Sequence, residues 1–129
     1  MSPPTQLIES ATEVARKAYS PYSKVCVGAA LITKAGALYT GCNVENASYG
    51  LTICAERSAI FSGVAAEGAS FRIRELAVIA LKLEFPPCGA CRQVIREFAS
   101  ADTKVWFLRG GEWTSLTVAE LLPAGFSLA

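Results

Sequence analysis

Two short motifs contain three of the five cysteines in this sequence. Cys54-Ala55-Glu56 is the first motif, and Pro87-Cys88-Gly89-Ala90-Cys91 is the second. Because the chain has no histidine, a zinc site would have to use thiolates or carboxylates. A C-x-x-C pair at a helix start shares one turn, and the positive end of the helix favours thiolates. Cys54, Cys88 and Cys91 are therefore the predicted zinc ligands, which leaves a fourth position for water, as in catalytic zinc sites.

Glu56 follows the first predicted ligand by two residues, close enough to reach the open face of the metal without binding it. A carboxylate there can take a proton from zinc-activated water and pass it to leaving ammonia. Zinc deaminases combine these parts: three Cys or His ligands, a glutamate that is not a ligand, and a P-C-x-x-C segment. Glu56 is the predicted catalytic acid and base.

Arg57 is placed to reduce the negative charge of the predicted site. Three thiolates on Zn²⁺ leave the site negative, which should weaken the ability of the metal to acidify water. A guanidinium that donates hydrogen bonds to the sulfurs would withdraw some of that charge. We predict this role for Arg57; the alternative is an ordinary surface charge on a helix.

The elements that position these residues follow from the spacing of apolar side chains. Helical spacing predicts four helices, over residues 5–19, 54–66, 88–99 and 118–122. Apolar runs between turn residues predict five strands, over residues 25–33, 37–43, 76–83, 105–108 and 113–116. Helices that alternate with strands predict an α/β fold, a three-layer α/β/α sandwich around a mixed five-stranded sheet. The length predicts a single domain over residues 1–129.

Composition restricts the class of ligand and the location. The net charge is +1 without a basic cluster, which argues against a nucleic-acid partner, since phosphate binding needs a basic face. The apolar runs are too short to span a bilayer, and the N-terminus lacks the pattern of a secretory signal, so we predict a cytoplasmic protein and no membrane partner. The hydrophobic fraction of 52% suggests that surfaces beyond the core of one chain are buried.

Simpler interpretations exist for several of these residues. A structural zinc site would need Cys26 or Cys42 as a fourth ligand and would give Glu56 no purpose, while a redox role for the C-x-x-C pair ignores Cys54. Cys26 and Cys42 lie in apolar strands and are predicted to be buried core residues. On spacing alone, residues 43–46 are a turn, and Phe126 is a packing anchor.

Five segments make the sequence resemble the small homotetrameric, zinc-dependent cytidine deaminases over nearly the whole chain. They are residues 18–24, 41–50, 54–57, 87–93 and 120–123. The resemblance implies hydrolysis of cytidine and 2′-deoxycytidine to uridine and deoxyuridine with release of ammonia, in pyrimidine salvage. It also implies one zinc ion per subunit and a homotetramer.

The resemblance assigns further residues to the site. Asn43 and Glu45 match the pair that holds the ribose hydroxyls, which replaces the turn interpretation; Glu45 can accept hydrogen bonds, and Asn43 can donate and accept. The backbone around Ala55 would bind the pyrimidine edge while Glu56 bonds N3. Tyr49 and Phe126 match residues that reach the pocket of a neighbouring subunit. In the second motif, Gln93 is predicted to lie near the zinc ligands without binding the metal.

Val25 departs from the pattern of the family, which usually has phenylalanine at this position to pack on the pyrimidine. Loss of the ring should weaken base binding by about 0.5–1.5 kcal/mol and should leave space. We predict that the pocket tolerates bulkier pyrimidines, for example cytidines substituted on the exocyclic nitrogen.

Two other functions stay open at this point. A deaminase of an antibiotic nucleoside such as blasticidin S would keep the zinc motifs, although Asn43 and Glu45 favour an ordinary nucleoside. A zinc-stabilised interaction module without catalysis predicts four cysteine ligands, so loss of Cys26 or Cys42 would release the metal.

Overall fold

The computed structural model of the chain describes residues 1–128, which form helices and strands in alternation. Along the chain these are α1 (Thr5–Ala15), β1 (Val27–Thr33), β2 (Leu38–Cys42), α2 (Ala55–Glu67), β3 (Ile73–Ala80), α3 (Gly89–Phe98), β4 (Lys104–Arg109), β5 (Glu112–Leu116) and α4 (Val118–Leu121). Short 3₁₀ turns lie at Tyr49–Leu51 and Gly68–Ser70. Among residues 1–128, no helix is long and apolar enough to cross a membrane.

The five strands form one mixed sheet in the order β2-β1-β3-β4-β5. β1 runs antiparallel to both β2 and β3, and β5 runs antiparallel to β4. β3 and β4 are parallel, and α3 makes the crossover that a parallel pair requires. The prediction of a mixed five-stranded sheet is confirmed.

Both faces of the sheet are covered because successive residues of β1 point to opposite sides. Ala29 and Leu31 belong to the larger core cluster, which also contains residues of α2, α3 and α4. Ala30 and Ile32 belong to a smaller cluster with Leu7 of α1. Helices on both sides of one sheet confirm the three-layer α/β/α sandwich.

Gly41 of β2 allows α2 to approach the sheet closely. A Cβ atom at this position would lie 2.3 Å from the backbone nitrogen of Ala59 and 2.7 Å from the Cβ of Ser58. The absent side chain therefore lets α2 lie close to the sheet, and α2 begins one residue after Cys54, the first predicted zinc ligand.

Two predicted elements differ substantially from the structure. The first helix ends at Ala15 rather than residue 19, because Tyr19 pairs instead with the segment after β2: its N–H donates to the carbonyl of Asn43 at 3.0 Å. The predicted strand 76–83 is shifted, since β3 spans Ile73–Ala80. Arg74 and Glu75 conceal its beginning, and the apolar residues Leu81 and Leu83 extend the pattern beyond its end.

The first strand also begins two residues later than predicted. The side chain of Asn43 takes the place of a strand partner there: its Nδ2 donates to the carbonyl of Val25 at 2.8 Å, and its Oδ1 accepts from the N–H of Val27 at 2.9 Å. The other predicted boundaries agree with the structure to within one residue.

Candidate active site

The predicted zinc ligands lie where α2 and α3 begin. Cys54 is the N-cap of α2 and Cys88 is the N-cap of α3, both in extended backbone conformation, and Cys91 lies in the first turn of α3. Neither helix start has a side-chain cap, so backbone N–H groups remain available near the sulfurs. The three sulfur atoms lie within 4.8 Å of one another.

The chemistry and spacing of this group suit zinc. Two sulfurs that each lie about 2.3 Å from a tetrahedral zinc are separated by roughly 3.8 Å. The distance between the sulfurs of Cys54 and Cys88 is 3.8 Å. Within residues 1–128 the group has three members, and neither Cys26 nor Cys42 belongs to it. Three thiols without a fourth protein ligand match an open, catalytic type of site rather than a structural one.

Charge is distributed unevenly among the thiols. A hydrogen bond from Cys91, together with one from Arg57, lowers the pKa of Cys54 to about 5. The same contact with Cys54 raises the pKa of Cys91, because Cys91 supplies the proton. Arg57 donates from Nη2 to the sulfur of Cys54 at 3.3 Å, and its own pKa is raised by that contact.

Glu56 occupies the first turn of α2 and is almost fully buried, with 4% of its surface exposed. Burial raises the pKa of Glu56 to about 7, and the negative charge of Cys54 adds to the rise. A carboxyl group with a pKa near neutrality can both donate and accept a proton at working pH. This is the property required of the predicted acid and base.

A cavity of about 330 Å³ opens above these residues. Its floor consists of Cys54, Ala55, Glu56 and Cys88, at the starts of the two helices. Its walls are mainly apolar; they include Val25, Val27, Leu83, Phe85 and Pro86. Asn43, Ser23 and Thr52 add polar groups. An apolar cleft with a few convergent polar groups is typical of a small-molecule site.

A second cavity, of about 280 Å³, adjoins the first and shares Ser23 and Thr52 with it. Glu45 and Tyr49 line the second cavity together with Tyr22. The rings of Tyr22 and Tyr49 meet edge to face, with centroids 6.0 Å apart. The structure therefore brings Glu45 and Tyr49 beside the cavity that holds Asn43 and Glu56.

Asn43 and Glu45 both form hydrogen bonds within the chain. Glu45 accepts from the N–H groups of Tyr22 at 2.9 Å and Ser23 at 3.1 Å, and from the hydroxyl of Ser23. The Ser23 hydroxyl is the main reason that the pKa of Glu45 is lowered. Each carboxylate or amide oxygen has two acceptor positions, so both residues keep capacity for a ligand.

Gln93 and Phe126 lie outside both cavities. Nε2 of Gln93 donates to the carbonyl of Phe126 at 3.4 Å, and Nε of Arg96 donates to the same carbonyl at 3.1 Å. The Phe126 side chain is 64% exposed. Within its own chain, Phe126 is thus held against α3 but does not reach the cavity of Glu56.

Sequence reasoning did not select several residues that line the cavities. Leu83 is the last residue of the predicted strand 76–83, whereas Phe85 and Pro86, just before the P-C-x-x-C motif, are interpreted as residues that end this strand. Tyr22 and Ser23 lie in a segment noted for resemblance, but no chemistry was assigned to them. Proximity to a motif was the available signal in both cases.

Comparison with known proteins identifies the family. The family described as "Cytidine and deoxycytidylate deaminase zinc-binding region" matches residues 1–108. The cytidine deaminase of Halalkalibacterium halodurans is 48% identical over 122 residues, 94% of this chain and 92% of that protein. The cytidine deaminase of Sporosarcina psychrophila is 46% identical over 125 residues, 95% of this chain and 90% of that protein.

Solved structures agree with the sequence relatives. The cytidine deaminase of Burkholderia pseudomallei superposes with a TM-score of 0.85 at 43% identity and covers 95% of this chain and 98% of its own. That of Mycobacterium tuberculosis gives 0.84 at 37% identity, over 96% and 97%. The chain belongs to the zinc-binding cytidine and deoxycytidylate deaminase family, and the resemblance inferred from its motifs is confirmed.

Proposed function

We propose that this chain catalyses the zinc-dependent hydrolytic deamination of cytidine and 2′-deoxycytidine to uridine and deoxyuridine, with release of ammonia. One observation carries the proposal: the buried Glu56 lines the same apolar cavity as Cys54 and Cys88, two members of the three-thiol group. The relatives named cytidine deaminases support the choice of substrate. The net charge of +1 agrees with a nucleoside rather than a polynucleotide ligand.

The roles of the residues follow from their places in the cavity. Cys54, Cys88 and Cys91 would hold the zinc ion, which would supply the Lewis acid that polarises the attacking water. Glu56 would take a proton from the attacking water and deliver it to N3 of the base as the water oxygen adds to C4. Glu56 then carries the second proton to the exocyclic nitrogen. The bond between C4 and this nitrogen breaks, and ammonia leaves.

The other cavity residues bind and orient the nucleoside. The apolar walls exclude water around the pyrimidine, and the backbone near Ala55 lies at the floor, where it can hydrogen-bond the base edge. Asn43 and Glu45 would hold the sugar hydroxyls. Arg57 would moderate the negative charge of the thiolates, and Gln93 would support the start of α3 from outside the ligand shell.

Glu56→Gln tests the catalytic role. Removal of one general acid or base lowers the rate by about 10²–10⁴-fold, so we expect kcat to fall by at least about 10²-fold. Zinc content should stay at one ion per chain because Glu56 is not a ligand. Deamination is followed by the ultraviolet change from cytidine to uridine, and zinc by elemental analysis. Wild-type kcat in the variant would contradict the assignment.

We also propose that the cavity accepts cytidines substituted on N4. The support is the small side chain of Val25 and the apolar character of Leu83 and Phe85 around it. An apolar substituent on the exocyclic nitrogen would fit into this space. It would not leave a polar group of these wall residues without a hydrogen-bond partner.

Val25→Phe tests this tolerance. The ring should improve kcat/KM for cytidine by about twofold to tenfold through contact with the base, and should lower the ratio of kcat/KM for N4-methylcytidine to that for cytidine. Val25→Leu is the control that adds bulk without an aromatic face. An unchanged ratio in Val25→Phe would contradict the proposal.

Three further proposals concern the molecule as a whole. Residues 1–129 would form one domain, supported by the single sheet that contains all five strands in the described range. The chain would act in the cytoplasm, in pyrimidine salvage, in agreement with its nucleoside chemistry. It would form a homotetramer with shared active sites, supported by the exposure of Tyr49 and Phe126, at 73% and 64%.

A further inference from the structure

Ser23 stands at the junction of the two cavities and has no role in the mechanism so far. It lines both the cavity of Glu56 and the cavity of Glu45. Its hydroxyl donates to Oε2 of Glu45, and its N–H donates to Oε1 of the same carboxylate at 3.1 Å. Both oxygens of Glu45 are therefore held by one residue.

The same hydroxyl also holds the backbone that carries Val25. The N–H of Val25 donates to Oγ of Ser23 at 3.0 Å. Lys24, between the two residues, has a φ of +63°, a left-handed conformation that is uncommon for a residue with a side chain. The carbonyl of Val25 accepts from Nδ2 of Asn43 at 2.8 Å, and Oδ1 of Asn43 accepts from the N–H of Val27 at 2.9 Å.

These contacts form a continuous chain of hydrogen bonds from one end of the site to the other. It runs from Glu45 through Ser23 to Val25, and from Val25 through Asn43 to the start of β1. Val25, the residue assigned to the base, is thus linked by hydrogen bonds to both residues assigned to the sugar, Asn43 and Glu45. The link between Val25 and Glu45 passes through Ser23.

We propose that Ser23 is a positioning residue that fixes the Glu45 carboxylate toward the sugar hydroxyls and ties it to the base-facing Val25. This inference rests on the proposed nucleoside deaminase function. The hydroxyl donates to a carboxylate and accepts from an amide at the same time, and an alanine can do neither. Without the hydroxyl, the Glu45 carboxylate keeps its two backbone donors on Oε1 but loses the partner that orients Oε2.

The test compares Ser23→Ala with wild-type protein on cytidine and on 2′,3′-dideoxycytidine, which lacks the hydroxyls that Glu45 would bind. We expect KM for cytidine to rise about tenfold, the effect of one hydrogen bond to a charged group, with kcat changed less than about threefold. KM for dideoxycytidine should change less than about threefold. A merely structural role would affect both nucleosides equally.

Two more variants and a control complete the test. Ser23→Thr keeps the hydroxyl and should restore KM for cytidine to within about threefold of wild type, whereas Ser23→Cys, a weaker donor, should fall between Thr and Ala. Ser70→Ala is the control, because Ser70 is an exposed serine in the 3₁₀ turn after α2 and donates a hydrogen bond to the carbonyl of Glu67. Ser70→Ala should leave both KM values unchanged.

The outcomes separate this inference from the proposed function. Equal changes for the two nucleosides, an unchanged KM for cytidine in Ser23→Ala, or failure of Ser23→Thr to restore it would overturn the role of Ser23. Wild-type protein with one zinc ion per chain and no activity on cytidine would instead contradict the proposed function. Thermal unfolding and zinc content are measured on every variant so that Ser23→Thr and Ser23→Cys decide the matter if Ser23→Ala does not fold.

Discussion

Arg57 contributes a positive charge beside thiols that become thiolates on zinc. The guanidinium contacts the sulfur of Cys54 at 3.3 Å, and this hydrogen bond is one reason for the low pKa of Cys54. Its Nε is buried and lacks a hydrogen-bond partner among the described residues, so the side chain bears a desolvation cost at this position. Contact with the ligand set offsets that cost.

Arg57→Ala should make zinc binding more sensitive to acid. Loss of the guanidinium raises the pKa of Cys54, so protons compete with zinc for the thiolate at a higher pH. The pH at which half the zinc is released should therefore move upward, as measured by titration in the presence of a colorimetric chelator. Arg74→Ala, on the exposed side of β3, is the control and should leave the midpoint unchanged. An identical midpoint in Arg57→Ala would refute the role of Arg57.

Sequence and structure agree best for the residues whose roles depend on local spacing. Cys88 and Cys91 share a helical turn because they are three residues apart, and Glu56 follows Cys54 into α2, so the sequence was sufficient to relate them. Ser23 and Leu83 reach the cavities through loops that are brought together by the fold. No periodicity describes such contacts, and these residues were found only in the structure.

The helix α2 is the element that determines where the catalytic residues lie. Its N-cap is Cys54, and it packs on β2 at Gly41, where no side chain separates helix and sheet. The sequence predicted this helix to within one residue because its apolar positions recur at helical spacing. β3 was predicted three residues too late, because charged residues at its beginning and apolar residues beyond its end disguise its limits.

Gly41→Ala should displace α2 from the sheet. The added Cβ would lie 2.3 Å from the backbone nitrogen of Ala59, so we expect the free energy of unfolding to fall by about 1–3 kcal/mol, as for other overpacked cores. Zinc content and kcat should fall with it, because Cys54 and Glu56 move with the helix. Denaturant unfolding measures the stability of the chain.

The control for this change is Gly50→Ala. Its Cβ would meet nothing within 4 Å, and its φ is not in the left-handed range, so stability should change by less than about 0.5 kcal/mol. Equal stability of Gly41→Ala and Gly50→Ala would show that the contact between α2 and β2 can accommodate a side chain at residue 41.

Several large apolar side chains are exposed on the surface of the molecule. Tyr49, Leu51, Phe61 and Phe126 are each at least 49% exposed. In isolation these groups would favour aggregation, and burial between subunits would stabilise them at about 25 cal/mol per Å². Because Phe126 lies outside both cavities of its own chain, a role in substrate binding requires a second chain.

Complementation between inactive subunits tests the shared site. Phe126→Ala and Glu56→Gln chains are co-expressed with different affinity tags and purified on both. If Phe126 acts in a neighbouring subunit, a Glu56→Gln chain supplies its intact phenylalanine to a Phe126→Ala chain that retains Glu56. The mixed assembly should then have a kcat/KM several-fold above either parent. The absence of recovery in a purified mixed assembly would contradict sharing of the site.

The segment between β3 and α3 has a separate consequence for how this enzyme can diverge. Residues 82–86 follow the backbone bond from the N–H of Leu81 to the carbonyl of Cys26, the residue before β1, and precede the ligand Cys88. Leu83, Phe85 and Pro86 form a cavity wall but take no part in the sheet or in the three-thiol group. Mutations there can alter which pyrimidines enter while the metal centre is inherited unchanged. We therefore expect substitutions in this one segment to change substrate preference while the zinc content stays the same.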